Sequence, residues 1–241
     1  MRGDRYDSGM PAAVPAPAVP TAPAASGADR PVPAAFLARF EVDLPRVGDD
    51  LLEPPFDLPP AAELPHFGGL DDLPRFAVVK VGWTPAGLAI ACRVEGKSRK
   101  PEASAKAVSG GDGLHLWIDT RPTGTSHRAG KYCRRFALLP RVGRVGKPGV
   151  YESPIMKTGD ASVAEPLPIP LQATVERGGD YELAAFLPAE QLPGFDPSRS
   201  TTIALHTVVT DGELGSQPLT VSEAFPTAHD PSLWTRAALS N

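Results

Sequence analysis

The residues best suited to chemistry are concentrated between positions 110 and 140, in the stretch GGDGLHLWIDTRPTGTSHRAGKYCRRFALLP. A sugar ring is held by an aromatic platform flanked by fixed polar side chains. Trp117, His115 and Asp119 supply such a set here. Arg93, from an earlier segment, adds a charged donor. The alternative is that Trp117 packs beneath long loops and Asp119 caps the turn that follows it.

The loop from Arg121 to Arg134 forms the rim of this predicted binding face. His127, Arg128 and Arg134 can bind an anionic sugar or a phosphate through charge-assisted hydrogen bonds. The same three side chains are also the types that stabilise a loop by bonding to carboxylates and backbone carbonyls. Both interpretations stay open at the level of the sequence.

Catalytic and metal chemistry are poorly supported by the spacing of these residues. Cys133 and His127 lie six positions apart with no recognisable oxyanion element, so they define no nucleophile and base. His115 and Asp119 on one strand lie about 13 Å apart, too far to share an ion. No phosphate loop, GxSxG or HExxH motif is present. We therefore expect no catalysis, metal or cofactor; a small enzyme built on the 121–134 loop is the third hypothesis.

Composition restricts the partners further. The chain has 241 residues, 41% of them hydrophobic, and a formal net charge of −4. A nucleic-acid partner is not expected, because phosphate binding needs a basic surface. Neither a signal peptide nor an apolar run of about 18 residues is found. We therefore expect no membrane partner and, by default, a cytoplasmic protein, with secretion by another route left open.

The chain divides into a tail and one domain. Residues 1–33 are rich in Pro and Ala and carry almost no large apolar side chain, so this segment is predicted to be disordered. Residues 34–241 carry many short apolar runs separated by Pro and Gly, and no sustained helical period. This pattern predicts an all-β domain, an antiparallel β-sandwich of jelly-roll type. The predicted strands cover 76–83, 88–96, 113–120, 131–140, 171–188 (a hairpin turning at Gly178-Gly179), 201–211 and 232–239, with a first strand between 34 and 45.

Strand alternation assigns side chains to faces. In the strand at 113–120, Leu114, Leu116 and Ile118 form an aliphatic core face, which places His115, Trp117 and Asp119 on the opposite face. In the strand at 88–96, the core set contains Cys92. The opposite set is Ala89, Ala91, Arg93 and Glu95, where the two alanines leave room for neighbouring side chains or a ligand. In the strand at 131–140, Phe136 and Leu138 favour the core, which turns Cys133 away from Cys92 and argues against a disulfide.

The succession of these segments resembles a known family. The order is VGWTPAGLAIACRVEG, GDGLHLWIDT, YELAAFLPAEQLPGF, IALHTVVTDGE and PSLWTRAAL, over roughly residues 76–239. It resembles the family 9 carbohydrate-binding module and its DOMON-like relatives. The resemblance implies a non-catalytic sandwich that binds a sugar or polysaccharide on a sheet face. Trp83 and Trp234 match positions that are structural in the family. No aromatic precedes Gly111-Asp112, so the family's sugar-holding Trp pair is not transferred.

Two functions thus compete. The first is carbohydrate binding through Trp117, His115, Asp119 and Arg93. The alternative is a structural or protein-interaction sandwich with a protein partner and no sugar ligand. An exposed Trp117 in a concave face favours the first, and a buried Trp117 favours the second.

Overall fold

A computed structural model describes residues 32–105, 107–143, 146–155, 164–222 and 224–241, without the side chain at 109. The predicted tail at 1–33 lies outside these residues except for Val32 and Pro33, so the boundary at 34 stays a prediction. The described part of the chain contains no helix long and apolar enough to cross a membrane.

The described residues form two β-sheets that pack face to face. The larger has eight strands in the order β1-β12-β10-β4-β5-β6-β7, with β11 beside β10, and the smaller has four in the order β2-β3-β9-β8. Every pairing is antiparallel except the parallel pair β1 and β12. The strands are β1 Glu41–Pro45, β2 Ala77–Thr84, β3 Gly87–Val94, β4 Gly113–Asp119, β5 Cys133–Val142, β6 Lys147–Glu152, β7 Glu165–Pro166, β8 Leu171–Val175, β9 Tyr181–Pro188, β10 Thr202–Asp211, β11 Gly215–Pro218 and β12 Thr235–Ser240.

The predicted all-β, antiparallel sandwich is therefore confirmed. The strong apolar runs became β2, β3, β4, β5, β9 and β10, and both expected hairpins, β2–β3 and β8–β9, are present. The strands β6, β7 and β11 were not predicted from the sequence. Helical structure in the described residues is limited to 3-10 turns at Ala34–Phe36, Pro60–Ala62, Phe67–Asp71, Val108–Gly110, Ala189–Gln191 and Pro231–Leu233.

The core lies between the two sheets and contains the predicted aliphatic sets. Leu114, Leu116 and Ile118 of β4 meet the inward residues of β3, among them Cys92. Phe136 and Leu138 of β5 join the same cluster, as their alternation predicted. Cys133 lies in a separate cluster, and both cysteines are free thiols, which agrees with the expectation of no disulfide.

A buried ion-pair cluster joins the two sheets at one end of the sandwich. The Lys97 ammonium lies 2.5 Å from Asp211 Oδ2 and 3.2 Å from Asp112 Oδ2, and all three side chains are buried. Lys97 follows β3 in the small sheet, whereas Asp112 precedes β4 and Asp211 ends β10 in the large sheet. Removing one member of such a cluster leaves an uncompensated buried charge, so these contacts fix the ends of the strands relative to one another.

Candidate functional site

The predicted binding face of β4 lies on the outer side of the large sheet, and it is closed. Trp117 is only 5% exposed. Its indole N–H donates to the Ala228 carbonyl at 3.1 Å, which ties the sheet to the segment at 224–234. The Arg135 guanidinium lies 4.7 Å from the centre of the Trp117 ring, and His206 packs at a ring distance of 5.6 Å. The indole therefore has no open face for a sugar ring.

The two imidazoles beside Trp117 are held neutral. Thr210 Oγ donates to the Gly111 carbonyl at 2.5 Å, so it accepts a hydrogen bond from His115 Nε2–H at 3.1 Å. Burial, together with the nearby Arg135 charge, lowers the pKa of His115 to about 3. Burial alone lowers the pKa of His206 to about 4. Neither ring nitrogen of His206 has a hydrogen-bond partner among the described residues.

Asp119, the third member of the predicted face, has a structural role. It is buried, and its Oδ1 accepts the backbone N–H of Arg121 at 2.9 Å. This contact is the turn cap that was the alternative interpretation of Asp119. Trp117, His115 and Asp119 are thus brought together on one face, but beneath a cover. By the criterion set from the sequence, the burial of Trp117 argues against sugar binding at this face.

The loop from Arg121 to Arg134 does bring His127 to a carboxylate. His127 Nδ1 lies 3.1 Å from Asp230 Oδ2 and 3.0 Å from Ser232 Oγ, and Ser232 Oγ also donates to Asp230 Oδ1 at 2.6 Å. Both partners contact the same ring nitrogen. A nucleophile–base–orienter arrangement needs the serine and the carboxylate on opposite nitrogens. Burial would raise the pKa of Asp230, but the hydrogen bonds from Ser232 and His127 outweigh it and lower this pKa. The set caps the turn at Pro231–Leu233.

The remaining loop residues do not converge on one ligand position. Arg134 Nε lies 3.0 Å from Glu152 Oε1, and its Nη1 donates to the Cys133 carbonyl at 2.9 Å. Arg128 is exposed and Arg121 is half-buried. Burial raises the pKa of the Cys133 thiol to about 11, which keeps it protonated at neutral pH and unsuited to nucleophilic attack.

Arg93 lies elsewhere, on the outer side of the small sheet, where a groove of about 750 Å³ opens to solvent. The side chain of Arg93 is 56% exposed. Arg93 therefore lies on a different sheet from the other three residues of the predicted face, which all belong to β4. The outward orientation of Arg93 agrees with the predicted alternation, in which Ala89, Ala91, Arg93 and Glu95 face away from the core.

Strand register builds the floor of this groove. Ala91 of β3 stands opposite Ala184 of β9, and Arg93 stands opposite Glu182. The next strand out, β8, places Gln172 beside Ala184 and Thr174 beside Glu182, while β2 places Lys80 beside Ala91 on the other side. Two neighbouring alanines therefore form a low apolar strip with polar side chains along both margins.

The segment that crosses the small sheet closes one end of the groove. Val47, Leu58 and Ala62 pack on Ala89 and Phe186 and bury that part of the outer face. Pro55, Phe56 and Asp57 of the same segment line the open part, and Phe56 is half-buried. The result is a hollow with an aromatic ring at one end and a volume within the range of small-ligand sites.

Ion pairs fix the polar margins. Arg93 Nη2 lies 2.8 Å from Glu95 Oε1, and Arg93 Nε lies 3.4 Å from Glu182 Oε1. The Lys80 ammonium donates to the Leu58 carbonyl at 2.6 Å and lies 3.2 Å from Asp57 Oδ1. Among the described residues that line the groove, two are basic and three are acidic, which gives a formal charge of −1.

Several residues of the groove were not predicted from the sequence. The alternation of β3 indicated space above Ala91, but Lys80, Gln172, Thr174 and Glu182 join this face only through strand register. The alternation of β9 places Glu182, Ala184 and Phe186 on one side, and this pattern could have indicated that β9 contributes to the same face. Within the described residues, no three His, Cys, Asp or Glu side chains come together as metal ligands.

The fold is similar to that of family 9 carbohydrate-binding modules. The chain is similar to a family 9 carbohydrate-binding module from Caldicellulosiruptor kristjanssonii in complex with cellotriose, at 12% identity and a TM-score of 0.53, over 83% of this chain and 94% of that one. A structure of such a module from the same organism with glucose gives 12% identity, a TM-score of 0.52, and coverage of 83% and 95%. No family model matches the chain, and no curated protein matches it. The similarity therefore establishes a family 9-like fold.

Proposed function

We propose that this protein is a non-catalytic carbohydrate-binding module that holds a saccharide in the groove on the outer face of the small sheet. The observation that carries the proposal is the solvent-open groove, in which Ala91 and Ala184 line the floor between ion-paired polar margins. The two structures that share its fold hold cellotriose and glucose, which supports a saccharide over other small ligands.

The groove meets the physical needs of sugar recognition. The apolar face of a pyranose needs a flat, dry surface, and its hydroxyls need donors and acceptors in fixed positions. Ala91, Ala184 and Phe56 supply apolar surface. Arg93 is oriented in advance by Glu95 and Glu182, so less side-chain entropy is lost when a ligand binds.

The same groove is poorly suited to hydrolysis of a glycosidic bond. Glycosidases use two carboxyl groups, one of which is a general acid in apolar surroundings. Glu95 and Glu182 are both more than half exposed on an open face, and both engage the guanidinium of Arg93. Binding without catalysis is therefore the function that this geometry favours.

Titration calorimetry of the full chain with cellotriose tests the proposal. Arg93→Ala should weaken binding by about tenfold or more, because a charge-assisted donor at the centre of the groove is lost. The matched control is Arg236→Ala, since Arg236 is also exposed and ion-paired, with Glu41 on the other sheet. Equal affinities of the two variants would place binding outside the groove.

The second candidate, a protein-interaction sandwich without a sugar ligand, is favoured by the burial of Trp117. It predicts no saturable heat from cellotriose or other soluble oligosaccharides in the wild type. The same titration therefore separates the two functions before any variant is made.

A further inference from the structure

We propose that the groove prefers saccharides that carry a protonated amino group over their uncharged counterparts. This inference rests on the proposed function and deepens it by naming a class of ligand. It follows from how the charges on the open face are paired, and from which of them remain in excess.

The centre of the groove is a set of three charged side chains, Glu95, Arg93 and Glu182. The single guanidinium contacts both carboxylates, at 2.8 Å and 3.4 Å, each through Oε1. One positive charge is thus shared by two negative charges, and the set carries a net charge of −1. Within the described residues, the second oxygen of each carboxylate accepts no hydrogen bond and can accept one from a ligand.

The other cation of the groove does not offset this excess. The Lys80 ammonium is engaged by Asp57 Oδ1 at 3.2 Å and by the Leu58 carbonyl at 2.6 Å. Its side chain is 22% exposed, whereas Glu95 and Glu182 are 59% and 57% exposed. Arg93 is as exposed as the two glutamates, at 56%, but it is one positive charge beside two negative ones, so an incoming ligand meets a net negative charge.

The ammonium group of an amino sugar fits this arrangement. It has three N–H donors and no acceptor, so it can bond to two carboxylate oxygens without displacing Arg93. The strip formed by Ala91 and Ala184 still accepts the ring. A hydroxyl in the same position makes weaker bonds because it carries no charge. The groove is open and partly solvated, so the advantage should be modest, about fivefold at low salt, and should decline as salt is added.

The test compares cellotriose with the β-1,4-linked trimer of glucosamine, in which an amine replaces the hydroxyl at C2. Calorimetry at pH 6 and low ionic strength should give the wild type an affinity about fivefold higher for the glucosamine trimer. The double variant Glu95→Gln/Glu182→Gln leaves Arg93 unneutralised and should reverse the preference. The control Glu41→Gln/Asp49→Asn makes the same change in net charge outside the groove and should keep the wild-type ratio.

Each outcome is decisive. Equal or tighter binding of cellotriose by the wild type would overturn the inference while leaving the proposed function intact. A preference for the amine that survives in the double variant would overturn the role of Glu95 and Glu182. Failure of both trimers to bind the wild type would overturn the inference together with the proposed function.

Discussion

The outer face of the large sheet is covered around Trp117, whereas the outer face of the small sheet has a groove that is open to solvent. On the large sheet, Trp117, His115 and His206 form a second small core, sealed by the segment at 224–234 and by the Trp117–Ala228 hydrogen bond. On the small sheet, the crossing segment at 47–62 buries Ala89 but leaves Ala91 only partly buried. The face with the more distinctive side chains is therefore closed, and the plainer face is open.

Residue chemistry does not by itself determine where a site lies in a sandwich. Side chains alternate between the core and the outer face in the strands of both sheets, and a connecting segment packs on each outer face. Where a long connection crosses a face, it buries the aromatic side chains of that face, which then contribute to packing. The strip of Ala91 and Ala184 is only partly covered and lines the groove in which we propose that a ligand binds.

The largest expected effect is on the closed face. Trp117→Ala should lower the free energy of unfolding by about 3–5 kcal/mol, because a large buried ring and its hydrogen bond are lost. Urea denaturation measures the change. The folded variant should keep the wild-type affinity for cellotriose. A stable variant that no longer binds would move the site to the face of Trp117.

Acid should destabilise the closed face through its imidazoles. The pKa values of His115 and His206 fall from 6.5 to about 3 and about 4 in the folded protein. The unfolded chain therefore binds more protons below pH 6.5, and stability that is complete above pH 6.5 is lost as the pH falls. Each imidazole contributes a slope of about 1.4 kcal/mol per pH unit.

Removal of one imidazole isolates this contribution. Between pH 7 and pH 5, the free energy of unfolding of His206→Leu should fall by about 2 kcal/mol less than that of the wild type, as measured by urea denaturation. The control Val208→Ala, which trims a half-buried apolar side chain of β10 and removes no titratable group, should keep the wild-type slope. An unchanged slope in His206→Leu would show that His206 is not held neutral by burial.

On the open face the expected effects are on binding and not on folding. Ala91→Leu should fill the strip and weaken cellotriose binding by more than tenfold, with the free energy of unfolding within about 0.5 kcal/mol of the wild type. Ala238→Leu, an exposed alanine of β12, is the control. Unaltered binding by Ala91→Leu would mean that the ring does not rest on this strip.

The smallest expected effect is spectroscopic. Trp83, Trp117 and Trp234 are all buried, so the intrinsic emission should be blue-shifted and should not change when cellotriose is added. A clear shift on saturation would indicate that an indole contacts the ligand, which contradicts the contrast between the two faces.

Local patterns were sufficient to predict most of the strands and the faces of their side chains. The alternation in β4 correctly separated Leu114 and Ile118 from Trp117. The strands β6, β7 and β11 were missed because their residues have weak strand preference and pair through their neighbours; β11, for example, reads GSQP. Pairing of this kind depends on contacts distant in sequence.

The candidate site was harder to predict for the same reason. Burial of Trp117 depends on a carbonyl at position 228, which lies 111 residues further along the chain. The groove depends on Ala184 aligning with Ala91, and no local pattern specifies that register. The expected space above Ala91 and the placement of Arg93 on that face were the parts of the site that alternation alone could supply.

Amide and side-chain chemical-shift mapping of the full chain by NMR, during titration with cellotriose, shows directly which face of the sandwich contacts the ligand. We predict saturable shifts at Ala91, Arg93, Gln172 and Ala184, with no change at the Trp117 indole N–H. Shifts centred on the Trp117 indole and His206, with the small-sheet face unaffected, would contradict the central claim and place the ligand under the 224–234 segment.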